Sequence, residues 1–196
     1  MTLHRDYFNK IAPRWNSIMK PDDRLRQYMA AFGINAGDSV LDIGAGTGRL
    51  TGHLRTLVGE KGRVVAEDIS DAMLKIARHA LPYRNCHYTC ADVEILPFFP
   101  NSADKIVCFS VFPHILHPEK AVAELHRVLK PGGKMLVLHT CCSRKLNQIH
   151  AGINDVVKHD RLPHSRDLAE LLTHGGFDCI NITENPEIYW VEVIKK

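Results

Sequence analysis

The sequence predicts an α/β fold built on a doubly wound parallel sheet, for two reasons. Short apolar runs alternate with stretches of helical periodicity from residue 39 to residue 139, the pattern of consecutive βαβ units. The end of the chain breaks this pattern, because two strand-like segments, FDCINIT and EIYWVEVIKK, are separated only by turn residues. We therefore expect a mostly parallel sheet with an antiparallel hairpin at one edge.

Local signals predict each element. The first thirty residues should form two short helices, at 7–16 and 21–32, the second opened by Pro21 and Asp22 and closed by Gly33 and Gly37. Strands are expected at 39–43, 63–67, 87–90, 105–109 and, after a KPGG turn, 134–139. Further helices are expected at 49–58, after an N-cap at Ser70, at 118–129 and at 166–174.

Composition limits the class of protein. The 196 residues, 45% of them hydrophobic, suit one domain over 1–196, with a helical cap at 1–32 and a substrate-side insertion at 140–165. The net charge of +3 comes from scattered lysines and arginines, so we expect no nucleic-acid partner. Without an apolar leader or a long apolar run, we expect a cytoplasmic protein with no membrane partner, either a monomer or a homodimer. Its six cysteines form no CxxC pair and should be reduced.

The turn after the first strand, VLDIGAGTGRL, predicts a ligand site. Three glycines, Gly44, Gly46 and Gly48, with Ala45 between the first two, let a ligand lie against the backbone. Their spacing, G-x-G-x-G, differs from the G-x-G-x-x-G of dinucleotide sites, and Asp42 would repel a pyrophosphate. A carboxylate favours a ligand that carries an ammonium and a sulfonium, and S-adenosylmethionine is such a ligand.

A second acidic position lies at the end of the second strand, in VVAEDIS. Asp68 is placed to accept hydrogen bonds from ribose hydroxyls, and Glu67 is the competing candidate. Because neighbouring side chains on a strand point to opposite sides, we expect only one of them to reach the ribose, and we favour Asp68.

A third position, in CADVEILPF, follows the third strand. Asp92 is expected to accept from the adenine amino group, and the amide of Val93 to donate to the ring. Ile69 and Met73 are expected to pack against the adenine faces.

Taken in order, these motifs resemble those of class I S-adenosylmethionine-dependent methyltransferases of the ubiquinone/menaquinone-biosynthesis type. The resemblance runs from about Val40 to Leu138, through VLDIGAGTGRL, AEDISDAMLKIA, ADVEILPFFPNSADKIV and ELHRVLKPGGKMLVL. It implies a Rossmann-like seven-stranded sheet of order 3-2-1-4-5-7-6 with the last strand antiparallel, and the cofactor roles given above. The segment YFNKIAPRW is similar to the family's cofactor-covering segment, so Tyr7 and Trp15 would line a lid.

Methyl transfer needs an acceptor atom held about 3 to 3.5 Å from the methyl carbon, and a base only where the acceptor must lose a proton. The segment CFSVFPHIL after the fourth strand faces the methyl group in this fold. It places Ser110 beside the cofactor, Phe112 beside the acceptor and His114 as the candidate base. The alternative is that His114 only packs at a strand–helix junction.

The segment 139–164 departs from the quinone-pathway enzymes and is expected to select the substrate. Its candidate acceptor-binding residues are histidines: His139, His150 and His159, the last followed by Asp160, with His164 closing the loop. Converging histidines can hold a divalent metal or a metal-bearing substrate, but the spacings match no metal motif, so we predict no metal. The adjacent Cys141 and Cys142 leave open a soft acceptor such as a thiol or metalloid.

The sequence therefore predicts an enzyme that transfers a methyl group from S-adenosylmethionine to a small-molecule acceptor by in-line displacement. Two alternatives stay open: a non-catalytic module of the same fold that senses the cofactor or a metal, and a methyltransferase acting on protein or nucleic acid. The sequence has no stripe of basic residues, which argues against the second alternative. SVFPH also stands where an amino-methylating enzyme would carry NPPY.

Overall fold

The computed structural model describes residues 3–19 and 22–196. The chain divides into two compact units, the first ending at Asp92 and the second beginning at Val93. The expectation of one domain stays a prediction. Among the described residues, no helix has the length and apolar character needed to span a membrane.

The first unit contains three strands and five helices among its described residues. Its helices are α1 (Leu3–Ile11), α2 (Trp15–Ile18), α3 (Arg24–Phe32), α4 (Thr51–Val58) and α5 (Asp71–Ala80). Its strands are β1 (Ser39–Ile43), β2 (Arg63–Asp68) and β3 (Cys86–Cys90). Strand β2 pairs with β1 on one side and with β3 on the other, both in parallel, so the carboxyl ends of all three strands lie at one edge.

Local chemistry explains where these elements begin and end. Ser70 caps α5, as predicted, since its hydroxyl accepts from the amide of Met73. Gly33 ends α3 in the left-handed conformation, with φ 84°. The apolar residues of β1 are buried, which fits a strand of a parallel sheet.

The second unit contains four strands and three α-helices. Its strands are β4 (Ala103–Phe109), β5 (Leu129–His139), β6 (Phe177–Asn185) and β7 (Ile188–Lys195), and its helices are α6 (Pro118–Val128), α7 (Ser143–Ala151) and α8 (Ser165–His174). β4 and β5 are parallel, whereas β7 runs antiparallel to both β5 and β6. The predicted C-terminal hairpin is therefore confirmed, with Pro186 and Glu187 at its turn.

The strand order is β3-β2-β1-β4-β5-β7-β6. This order confirms the predicted α/β fold with a seven-stranded, mostly parallel sheet and an antiparallel last strand.

Three predicted elements differ in detail. The first helix is interrupted by a 3-10 turn at Ala12–Arg14, because the proline there supplies no amide hydrogen to an α-helix. Helix α3 begins at Arg24 rather than at residue 21, and Pro21 lies outside the described residues. The KPGG segment lies within β5 instead of preceding it. Ala103 pairs with Leu129 before this segment and Lys105 with Lys134 after it, so residues 130–133 form an irregularity in the strand.

Candidate active site

The turn after β1 is held in a conformation that glycine favours. Gly44, Gly46 and Gly48 have φ angles of 64°, 56° and 86°. A Cβ on Gly48 would lie 2.9 Å from the side chain of Leu81, so this glycine also allows α5 to approach closely. A Cβ on Gly46 would meet only the indole nitrogen of Trp15, at 3.6 Å. The backbone at Gly46 is therefore more open than the backbone at Gly48.

Asp68, at the end of β2, holds the turn in place. The amide of Gly46 donates to its Oδ2 at 2.7 Å, and the amide of Ser70 donates to its Oδ1 at 2.8 Å. One carboxylate thus joins the glycine turn to the start of α5. A carboxylate offers about four acceptor positions and is the kind of group that hydrogen-bonds ribose hydroxyls.

Two further carboxyl groups are buried beside this turn. Glu67 accepts from the amide of Gly44, and burial together with the charge of Asp68 raises the pKa of Glu67 well above its usual range. Asp42 accepts from the hydroxyl of Thr51 at 2.6 Å, and burial raises its pKa to about 7. Both Glu67 and Asp68 therefore accept from an amide of the turn, and the expectation that only one of them, Asp68, reaches the ribose stays a prediction.

The N-terminal segment contacts the same turn. The hydroxyl of Ser70 donates to Asn9 at 2.7 Å, and Thr47 donates to Asn16 at 2.6 Å. The predicted lid residues are half-buried: the ring of Phe8 makes edge contacts with both Tyr7 and Trp15. Sequence reasoning missed the two asparagines, because a lone asparagine gives no signal until the partner that it bonds is known.

The residues expected around the adenine lie at the ends of the same strands. Met73 is buried on the first turn of α5, and Ile69 is half-buried just before the Ser70 cap. Asp92 is half-buried and Val93 is buried. Their contacts with an adenine ring stay a prediction.

In the second unit, the segment after β4 begins with a residue in a strained backbone conformation. Ser110 has φ 57°, which is uncommon for a residue other than glycine, and its amide donates to the carbonyl of Leu138. The chain then forms a 3-10 turn, Phe112–His114, in which Phe112 is buried. The turn brings the imidazole of His114 to the inside of this unit, with its side chain 15% exposed.

His114 belongs to a cluster of buried polar groups. Its Nδ1 lies 2.5 Å from Oδ2 of Asp160, which is itself buried. The ring of His150, on α7, lies 5.1 Å from that of His114, and its Nδ1 lies 3.2 Å from the backbone oxygen of Asp160. His139, at the end of β5, completes the set. We call these four residues, His114, His139, His150 and Asp160, the histidine cluster.

His139 is the most deeply buried member of the cluster. Burial, and then the nearby charges of His114 and His150, lower its pKa to about 3, so its ring is neutral near pH 7. Within the described part of the chain, its Nε2 is buried without a hydrogen-bond partner, as is the hydroxyl of Tyr189, the residue opposite it on β7. The two rings meet edge to face at 5.5 Å.

The structure does not place every predicted acceptor residue in this cluster. His159 is exposed, and its neighbour Asp160 takes the buried position. His164 is an N-cap of α8, accepting from the amide of Arg166. Sequence reasoning noted Asp160 only as a neighbour of His159, because 46 residues separate it from its partner His114.

Comparison with known proteins matches about half of the chain. The methyltransferase-domain family matches residues 41–137. Ubiquinone/menaquinone biosynthesis C-methyltransferases from Teredinibacter turnerae and Klebsiella pneumoniae are each 44% identical to this chain over 110 residues, which is 54% of this chain and 44% of the relative. The chain therefore spans less than half the length of these curated relatives.

Solved structures agree over nearly the whole chain. A SAM-dependent methyltransferase from Aquifex aeolicus has a TM-score of 0.77 at 22% identity, over 94% of this chain and 98% of that one. Phosphoethanolamine N-methyltransferase 2 from Haemonchus contortus, solved with S-adenosyl-L-methionine, has a TM-score of 0.78 at 18% identity, over 100% of this chain and 60% of that one. Residues 41–137 thus match the methyltransferase-domain family, and the chain has the fold of these solved S-adenosylmethionine-dependent methyltransferases.

Proposed function

We propose that this protein transfers a methyl group from S-adenosylmethionine to a small-molecule acceptor. The observation that carries the proposal is the glycine turn after β1, whose open backbone at Gly46 is held by the carboxylate of Asp68. The family match over residues 41–137 supports the same activity.

The residues present fit this cofactor. Asp68 offers carboxylate oxygens to the ribose hydroxyls, and Asp42, whose pKa of about 7 leaves it partly ionised near neutral pH, provides negative charge for a cationic ligand. When bound, S-adenosylmethionine supplies a methyl group on a sulfonium. In this proposal, Asp68 holds the ribose. The adenine packs against Ile69 and Met73, with Asp92 and Val93 at its edge. Tyr7 and Trp15 cover the bound cofactor.

On the acceptor side, we assign the role of general base to His114. The carboxylate of Asp160 holds Nδ1 of this ring, an arrangement that fixes the tautomer and leaves the lone pair on Nε2. Phe112, His139 and His150 would contact the acceptor, and Ser110 the cofactor. A base suits an acceptor that releases a proton on methylation, which includes a hydroxyl, an amine or an activated carbon. The matched relatives are named as C-methyltransferases.

Calorimetric titration with S-adenosylmethionine and S-adenosylhomocysteine tests the cofactor site. We expect Asp68→Asn to weaken binding of both by about 10- to 100-fold, since hydrogen bonds to a charged group contribute about 1.5–3 kcal/mol. Asp71→Asn is the matched control, because Asp71 lies three residues away on the exposed side of α5 and pairs with Lys75. Failure of the folded wild-type protein to bind either ligand would refute the proposal.

An acceptor screen that measures S-adenosylhomocysteine formation then tests catalysis. Turnover of a small hydroxyl, amine, thiol or carbon acceptor supports the proposed activity. Cofactor binding without product from any acceptor would instead favour a sensing module of the same fold.

A further inference from the structure

Two buried polar atoms without partners lie side by side where β5 ends. His139 and Tyr189 are directly opposite one another in the antiparallel pairing of β5 with β7, and their rings meet edge to face at 5.5 Å. They are 1% and 0% exposed, yet among the described residues neither Nε2 of His139 nor the hydroxyl of Tyr189 has a hydrogen-bond partner. An unpaired buried polar group lowers stability, so two in one residue pair point to a bound molecule as their partner. We call His139 and Tyr189 the polar pair.

The polar pair lies at the edge of the sheet where a ligand is expected. Residues directly opposite one another on neighbouring strands project to the same face of a sheet, so both rings are on one face. His139 is the last residue of β5, a parallel strand. Beside it, the amide of Ser110, which follows β4, donates to the carbonyl of Leu138. Ligands of doubly wound sheets bind outside the carboxyl ends of the parallel strands.

The charges around the polar pair favour a neutral ligand group. Burial lowers the pKa of His139 to about 3, and burial, followed by the charges of Glu184 and Asp167, raises the pKa of Tyr189. Both side chains are therefore uncharged near pH 7. Glu184, opposite Tyr189 on β6, is ionised, because its hydrogen bonds outweigh its burial and lower its pKa. Two neutral groups beside a carboxylate disfavour an anion.

We propose that Nε2 of His139 and the hydroxyl of Tyr189 bind a neutral hydroxyl or carbonyl group of the small-molecule acceptor. A phenol donates and accepts, and a neutral imidazole nitrogen does one or the other, so the pair suits an oxygen of either kind. The identity of the ligand as the methyl acceptor rests on the proposed function. Both atoms are closed off from solvent, so the ligand reaches them only when neighbouring side chains move.

Urea unfolding of Tyr189→Phe, which removes only the hydroxyl, tests whether this group lacks a partner within the protein. We expect the urea midpoint to rise above that of the wild type with no change in slope, since an unpaired buried group is lost. Tyr88→Phe is the control, because the hydroxyl of Tyr88 donates to the carbonyl of Leu81 at 2.7 Å, and its midpoint should fall. A midpoint of Tyr189→Phe at or below the wild-type value would overturn the proposal.

Ligand-observed NMR titration with phenol, toluene and benzoate tests the class of ligand. The three probes are similar in size, but phenol carries a neutral hydroxyl, toluene none and benzoate a negative charge. We expect the wild type to bind phenol about 2- to 10-fold more tightly than the other two. This preference should be lost in Tyr189→Phe and in His139→Leu and retained in Tyr88→Phe. Absence of the preference in the wild type, or its retention in Tyr189→Phe, would overturn the proposal.

Kinetics with an acceptor found by the screen for S-adenosylhomocysteine formation test the link to methyl transfer. Tyr189→Phe should raise KM for the acceptor by about 2- to 10-fold and leave KM for S-adenosylmethionine unchanged. An unchanged KM for the acceptor would refute the role of the pair in acceptor binding. Loss of the phenol preference with cofactor binding intact removes only this site. A wild type that prefers phenol but does not bind S-adenosylmethionine removes the proposed function and leaves the polar pair as a binding site.

Discussion

At the scale of single residues, buried carboxyl groups are the main feature of the first unit. Asp42 is 1% exposed, and the hydroxyl of Thr51 donates a hydrogen bond to it. A buried ionised carboxylate is costly, so Asp42 gains a proton at higher pH than usual. Thr51 limits this change, since its hydrogen bond stabilises the charged form. The hydrogen bond from Thr51 therefore affects how much of Asp42 is ionised beside the glycine turn.

Replacing Thr51 should show how strongly its hydrogen bond controls the ionisation of Asp42. We expect Thr51→Val to raise the pKa of Asp42 above about 7 and to lower the free energy of unfolding by about 1–3 kcal/mol, because the buried carboxyl loses its donor. Urea unfolding near neutral pH measures the change. Thr56→Val, on the same helix but at an exposed position where the hydroxyl donates to the carbonyl of Gly52, should cost less than about 0.5 kcal/mol. Equal effects of the two substitutions would argue against the assigned role of Thr51.

The sign of the pH dependence follows from the direction of the shift. The pKa of Asp42 is raised in the folded protein, so its contribution to stability is fully present below the unfolded pKa and is lost as pH rises through about 7. Because Thr51→Val should raise the folded pKa of Asp42 further, this contribution to stability should persist to higher pH in the variant.

At the scale of elements, Glu184 of β6 links the beginnings of two helices. Its Oε1 accepts from the amide and the hydroxyl of Ser143, at the start of α7, and its Oε2 accepts from the amide of Ser165, at the start of α8. Although burial raises its pKa, these hydrogen bonds bring the pKa of Glu184 below its usual range. Helix N-termini favour a negative charge, so one side chain stabilises both. Because α7 carries His150, Glu184 also helps to position the histidine cluster.

We expect Glu184→Gln to destabilise the protein by about 1–3 kcal/mol, since an amide group cannot accept from both serines. Hydrogen exchange should become faster in the first turns of α7 and α8, where the bonded amides lie. Glu187→Gln, at the exposed hairpin turn, is the control and should change neither quantity. Unchanged exchange in both helices would contradict the linking role of Glu184. Because the folded pKa of Glu184 is lowered, its stabilisation should be lost as pH falls below the usual pKa of a glutamate.

At the scale of the whole molecule, the two units carry different chemistry. The first holds the glycine turn and three buried carboxyl groups, Asp42, Glu67 and Asp68. The second holds the histidine cluster, whose rings His139 and His150 have lowered pKa values. Acidic groups therefore lie with the proposed cofactor site, and neutral imidazole rings lie with the proposed acceptor site.

This distribution of charge predicts how cofactor binding depends on pH. Asp42 is protonated below about 7, and a sulfonium is attracted to its ionised form. We therefore expect the affinity for S-adenosylmethionine to rise between about pH 6 and about pH 8. S-adenosylhomocysteine, which lacks the positive sulfur, is the matched control and should show a smaller rise. Calorimetry at both pH values measures the two affinities, and an identical pH dependence for both ligands would refute the electrostatic role.

Much of the fold could be predicted because its signals are local. The strands and the Ser70 cap follow from apolar periodicity and from hydrogen bonds between neighbours in sequence, and the C-terminal hairpin from its turn residues. The predicted boundaries of helices and strands were least accurate where proline or glycine interrupts the regular backbone. The proline of residues 12–14 divides the first helix, and the KPGG segment is an irregularity within β5 rather than a turn before it.

The sequence by itself determined the mostly parallel sheet with its C-terminal hairpin and the glycine turn with its acids, because each is indicated by residues close together in the chain. Only the tertiary structure decided which distant side chains meet. It joined Asp160 to His114 and placed His150 beside them, while leaving His159 exposed. Spacing along the chain cannot reveal such contacts, since they form only when separate elements pack and bury polar groups that must then find partners.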